Sequence, residues 1–191
     1  MNPSPNAAGP LPAAGPHAER AGNAGERARN AGEAASAGEF RTAHLFDLVV
    51  DLDPSLSVGR GLYGRRVVFG AAGGTFHGPR LHGEVLPGGG DWALFGPDGT
   101  MTLDVRLTLR THDGALLHMS YGGRLVTPPA VREALGDPAG RHRVDPGDYY
   151  FRTNPLFETG AEGYAWLNGT VGIGSGRFVD GGVAYRVSEV L

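Results

Sequence analysis

From Thr42 onward, apolar and polar residues alternate with a period of two, the pattern of strands that bury one face. The clearest run is TMTLDVRLTLR at 100–110. Met101, Leu103, Val105, Leu107 and Leu109 share one face of it; Thr102, Asp104, Arg106 and Thr108 share the other. His112-Asp113-Gly114 follows as a hairpin turn, with ALLHMSY at 115–121 as the partner strand. Pro97-Asp98-Gly99 joins DWALF to the front of the same strand, and Asp180-Gly181-Gly182 joins two last strands. Near the start, His44, Phe46, Leu48, Val50 and Leu52 alternate with Leu45, Asp47, Val49 and Asp51 until Asp53-Pro54 ends the run. YAWLNGTVGI reads the same way, with Tyr164, Trp166, Asn168 and Thr170 on one face and Ala165, Leu167, Val171 and Ile173 on the other. Only PPAVREALG at 128–136 predicts a helix, with prolines at its start and glycine at its stop. Many short strands with close-set turns and one short helix predict an all-β fold. The hairpin links favour an antiparallel meander β-barrel over a sandwich.

The first 39 residues break this pattern: 23 of them are Gly, Pro or Ala. Their Ala, Glu and Arg favour helix, but a glycine every few residues opposes it by about 1 kcal/mol each. No apolar stripe is available to dock such a helix. The expectation is a disordered tail over 1–41 and a β-barrel domain over 42–191. A chain of 191 residues suits that division.

Net charge is −3, which argues against a nucleic-acid surface. Cysteine is absent, which excludes disulfides, thiolate nucleophiles and iron–sulfur ligation. All 17 basic residues are Arg, so no Schiff-base or P-loop lysine exists. No run approaches the roughly 18 apolar residues of a membrane helix. The N-terminus has no apolar signal region either. A cytoplasmic protein without nucleic-acid or membrane partners is expected.

Gly59-Arg60-Gly61-Leu62-Tyr63-Gly64 spells the dinucleotide fingerprint, but Asp53-Pro54 precedes it and the strand-like RRVVF follows. Without a helix N-terminus to meet phosphate it reads as a glycine-rich link between strands. His77, His82 and Glu84 come nearest to a metal set, yet a Gly-Pro turn separates the two histidines, so no metal site is expected. No cofactor motif is present.

Candidate chemistry gathers in three segments: 73–92, ending in Asp91 and Trp92; the Asp104/Arg106 face; and 149–168. Residues two apart on a strand project together, so the Asp104 carboxylate can meet the Arg106 guanidinium. Asp104 or Asp91 would move protons, while Arg106, Arg152 and Asn168 stabilise a developing oxyanion. Trp92, Tyr121, Glu158, Tyr164 and Trp166 would bind the substrate. Ordinary roles stand beside these. Asp104 and Arg106 make a solvated pair if their face is outside, and Tyr164 and Trp166 make core or subunit contacts.

GGTFHGPRLHGEVLPGGGDW, PDGTMTLDVRLTLRTHDGA, YYFRTNPLFETG and YAWLNGT, in this order, resemble the bacterial and fungal domain-of-unknown-function 3237 family, also called uncharacterised protein family 0311. The resemblance runs from about residue 43 to the C-terminus. It implies a calycin-like β-barrel, in the company of lipocalins and streptavidin, that assembles as a homo-oligomer. No catalytic set is carried over with it. It does place Asp91, Trp92, Asp104, Arg152, Glu158, Tyr164, Trp166 and Asn168 on motif positions that turn geometry does not explain. The expected function is acid/base catalysis without a cofactor on a small oxygenated organic molecule, as an isomerase, cyclase or hydrolase of specialised metabolism. The alternatives are a lipocalin-like carrier and an oligomeric scaffold.

Overall fold

The computed structural model describes residues 39–191; the expected tail therefore lies, up to residue 38, outside the described residues. The strands are β1 (Thr42–Leu52), β2 (Leu56–Gly61), β3 (Gly64–His77), β4 (His82–Phe95), β5 (Met101–Thr111), β6 (Leu116–Val126), β7 (Tyr150–Thr153), β8 (Leu156–Glu158), β9 (Gly172–Val179) and β10 (Gly182–Val190). Among the described residues one α-helix, α1, spans Pro129–Gly136, as its prolines and glycine predict. Eight strands close a ring in the order β1, β10, β9, β7, β6, β5, β4, β3 and back to β1, every pairing antiparallel. β2 folds onto β3, and β8 continues the line of β7 along β6. The fold is thus a closed antiparallel β-barrel. The GRGLYG segment is the β2–β3 hairpin, a link between strands. No helix among the described residues is long and apolar enough to cross a membrane.

Strict alternation decides which side faces in. On β5, Met101, Leu103, Val105, Leu107 and Leu109 are buried while Asp104, Arg106 and Arg110 are exposed. The apolar face therefore fills the barrel, and the polar face is its outer wall.

The interior has two unequal halves. One end is packed solid by Leu45, Phe46, Phe76, Leu117, Phe157 and Leu167, with edge-on ring contacts from Phe46 to Phe76 and Phe157 at 5.5 and 5.9 Å. Burying each such side chain favours folding by roughly 1.5–3 kcal/mol. On β1 a bulge between His44 and Phe46 lets Leu45 and Phe46 both turn inward. The opposite end is capped loosely by α1 and stays hollow.

Ring closure depends on close backbone approach between β1 and β3. Gly74 sits at φ +142°, and a Cβ there would lie 2.1 Å from the Val49 carbonyl oxygen. Only glycine fits that seam.

YAWLNGTVGI departs from the expected strand. Glu162–Gly169 winds as a 3₁₀-helix, whose three-residue period buries Tyr164 and Leu167 together; the strand resumes only at Gly172. Tyr164, Trp166 and Asn168 therefore do not share a sheet face.

Candidate functional site

The hollow end holds a cavity of about 390 Å³, the size of a small-molecule site. Val50, Leu107, Phe151, Phe178 and Val183 line much of its wall. The β2–β3 hairpin, the β4–β5 turn, α1 and the turn at Arg141 contribute the residues around its mouth.

Asp91 enters this apolar space because of the glycines before it. β4 bulges between Leu86 and Gly90, where a Cβ on Gly89 would stand 2.4 Å from the Arg106 carbonyl oxygen. One on Gly90 would stand 2.6 Å from that of Phe69. The bare backbone thus threads tightly between β3 and β5. Asp91 emerges opposite Val105, on the inward face.

Its Oδ1 accepts the Asp104 backbone N–H at 2.9 Å. Burial pushes the Asp91 carboxyl up to about 6; that hydrogen bond opposes the rise, the Asp104 charge adds to it and Arg66 opposes it.

Two phenols share the cavity with it, Tyr121 from β6 and Tyr185 from β10. Their rings meet edge to face at 5.6 Å. Burial holds both hydroxyls protonated far above neutral pH, and the Asp91 charge adds to this in each. A carboxylate poised near neutrality beside two fixed O–H groups can exchange a proton and steady a developing negative oxygen.

Four arginines line the cavity as well: Arg60, Arg65, Arg132 and Arg141. Arg65 lies over the Phe95 ring at 4.2 Å and Arg141 over Phe178 at 5.0 Å.

Of the residues singled out in the sequence, the structure brings Asp91 and Tyr121 into this cavity and leaves the others outside it. Asp104 and Arg106 are exposed on the outer wall, ion-paired at 2.8 Å, with the Arg106 guanidinium 6.0 Å from the ring of the outward-facing Trp92. Arg152 is also outside, donating to the Phe151 carbonyl and lying against Tyr150.

The remaining residues belong to the packed end. Glu158 is exposed at the end of β8. The Tyr164 hydroxyl donates to Asp113, and Trp166 lies under the Arg80 guanidinium at 3.9 Å. Asn168 clasps Thr159, accepting its N–H at 2.8 Å and donating to its carbonyl at 3.0 Å.

Tyr185 and the four arginines escape the sequence reading. Tyr185 had one usable sign: a phenol between Val183 and Val187 on a buried face must find a partner for its hydroxyl. For Arg60 and Arg65 the sign was position, flanking the Leu62-Tyr63 turn beside a barrel opening. Arg132 and Arg141 gave none.

Comparison with known proteins agrees with this architecture. The family model for a protein of unknown function, DUF3237, matches residues 40–190. A UPF0311 protein of Clostridium acetobutylicum is 34% identical over 130 residues, 68% of this chain and 80% of its own. A solved protein of unknown function from Rhodopseudomonas palustris is 30% identical, with TM-score 0.73 over 80% of this chain and 99% of that one. A β-barrel-like protein from Acinetobacter baumannii is 32% identical, with TM-score 0.69 over 80% and 97% of the two chains.

Proposed function

This chain belongs to the DUF3237 family of proteins of unknown function, and from its cavity we propose an acid/base catalyst that isomerises, cyclises or hydrolyses a small oxygenated organic molecule with its own side chains. One observation carries this: a single carboxyl, raised to about 6, stands inside an apolar cavity beside two protonated phenols. Catalytic groups need affinities matched to the working pH, and burial is how a carboxyl reaches that range.

In the proposed step, the ionised Asp91 takes a proton from a C–H or O–H of the ligand. The released electron pair moves toward a ligand oxygen that accepts hydrogen bonds from the tyrosine hydroxyls. Asp91, now a carboxylic acid, returns the proton to another ligand atom, so isomerisation or ring closure ends with the protein unchanged. Activity with Asp91 as the base rises as pH passes about 6.

The test is to incubate the protein, Asp91→Asn and Asp104→Asn with a metabolite extract of the producing cell, and to follow free and protein-retained molecules by mass spectrometry. A feature converted by wild type and Asp104→Asn, but at least about 100-fold more slowly by Asp91→Asn, supports the reading. A feature retained unchanged by all three makes the protein a carrier and sinks the catalytic reading.

A further inference from the structure

We propose that the ligand of this cavity is an organic anion: an apolar or aromatic body carrying one ionised acidic group, seated with its charge among the mouth arginines and its body against the inner wall. This rests on the acid/base reading for the floor of the cavity, but it is argued from the opposite end.

The cavity lining holds four guanidiniums and a single carboxylate, Asp91. The chain as a whole carries a net charge of −3, so the excess of positive charge here is local and not a property of the molecule. Four arginines elsewhere on the barrel are matched with acids, Arg80 with Glu189, Arg106 with Asp104, Arg110 with Glu84 and Arg186 with Asp47, while Arg66, Arg124 and Arg152 are answered by backbone carbonyls. Among the described residues, none of the four cavity arginines has an acidic side chain within ion-pair distance.

Each is held in a way that leaves its charge unanswered. Arg60 and Arg65 are direct cross-strand partners in the β2–β3 hairpin, and like charges directly opposite one another repel. Arg132 reaches only the Asp98 and Thr127 carbonyls, both at 3.4 Å. The nearby Asp98 carboxylate is taken by the Thr100 N–H and hydroxyl. Arg141 is half-buried over the Phe178 ring, and its Nε is enclosed without an acceptor.

A buried N–H without a partner costs free energy that an incoming acceptor recovers. A carboxylate, or a phenolate or similar ionised oxygen, accepts from such forks in charge-assisted bonds. Val50, Leu107 and Phe151 offer nothing to a polar body. The chemistry therefore divides: charge outward, carbon skeleton inward, reacting atoms at Asp91.

Two dyes with one aromatic skeleton test this, anilinonaphthalene sulfonate and its uncharged counterpart phenylnaphthylamine, titrated by fluorescence into the full chain. The sulfonate is expected to bind at least about tenfold tighter. The Arg60→Gln/Arg65→Gln double variant, and separately Arg141→Gln, should each weaken the sulfonate about tenfold and change the amine by less than about twofold. Far-UV spectra confirm that the variants are folded, and the exposed hairpin pair covers the case in which Arg141→Gln is not. Equal binding of the dyes, equal loss of both in the variants, or binding of neither overturns the proposal. If charge preference fails while Asp91→Asn still abolishes conversion, the floor chemistry stands and the head group is wrong. If preference holds while Asp91→Asn converts like wild type, the acid/base reading falls and an anion site remains.

Discussion

Asp91 is the residue where stability and chemistry pull apart. Its carboxyl stands at about 6 when folded against an ordinary value of 3.8. The unfolded chain thus releases this proton first as pH rises. Stability linked to Asp91 is intact below about pH 4, declines between about 4 and 6, and is lost above, a penalty of about 3 kcal/mol. Asparagine has no proton to lose and keeps an oxygen for the Asp104 N–H. Asp91→Asn should therefore stabilise the fold at pH 8 by up to about 3 kcal/mol and give little gain at pH 4, read as urea midpoints at the two values. No gain at pH 8 would mean that the carboxyl is well solvated. At this scale the sequence shows residue types only. Asp91 and Tyr121 stand out as an acid and a phenol near glycines and alternating strands, but so do Asp104 and Arg106, and the face that turns inward separates them. The apolar neighbours at 101, 103, 105, 107 and 109 already exceed what an exposed wall needs, and that was the available clue.

Among the elements, β5 and β6 are legible because their alternation is strict, α1 because prolines open it and glycine ends it, and β9 and β10 through the Asp180-Gly181-Gly182 turn that joins them. The segment 162–169 is misleading because Tyr164, Trp166 and Asn168 are spaced by two, while Tyr164 and Leu167 are spaced by three. Tertiary packing selects the second spacing, since both then reach the core. Two polar contacts hold that 3₁₀-helix, the Tyr164 bond to Asp113 and the Asn168 clasp on Thr159. Asn168→Ala removes both clasp bonds at an exposed site, so it should lower stability by about 1 kcal/mol. It should leave dye binding in the distant cavity unaltered. Denaturation and the fluorescence titration together check this, and weakened dye binding would show that the clasp shapes the cavity.

For the whole molecule, the barrel class follows from strand number and turn spacing, but the cavity does not. Its lining comes from segments around residues 50–71, 90–107, 121–141, 151 and 178–185, brought together only by ring closure. No local pattern encodes where the packed end stops and the hollow end begins. Closure itself can be tested at Gly74. With φ +142° and the Val49 carbonyl 2.1 Å from any Cβ, Gly74→Ala should cost at least about 3 kcal/mol. It should melt far below wild type, and an unshifted melting temperature would mean that the β1–β3 seam yields easily.

The pairing of β1 with β10 along Thr42–Asp51 and Gly182–Val190 has a consequence for how the protein is made. Translation produces β1 nearly at the outset of the domain and β10 at its end. Until β10 is made, β1 has β3 to pair with on one side only, and its other edge has no neighbour. A bare edge of that length invites a second nascent chain. The charged side chains of Asp47 and Asp51 are exposed along this strand, and in that interval they act as guards against such pairing before β10 arrives.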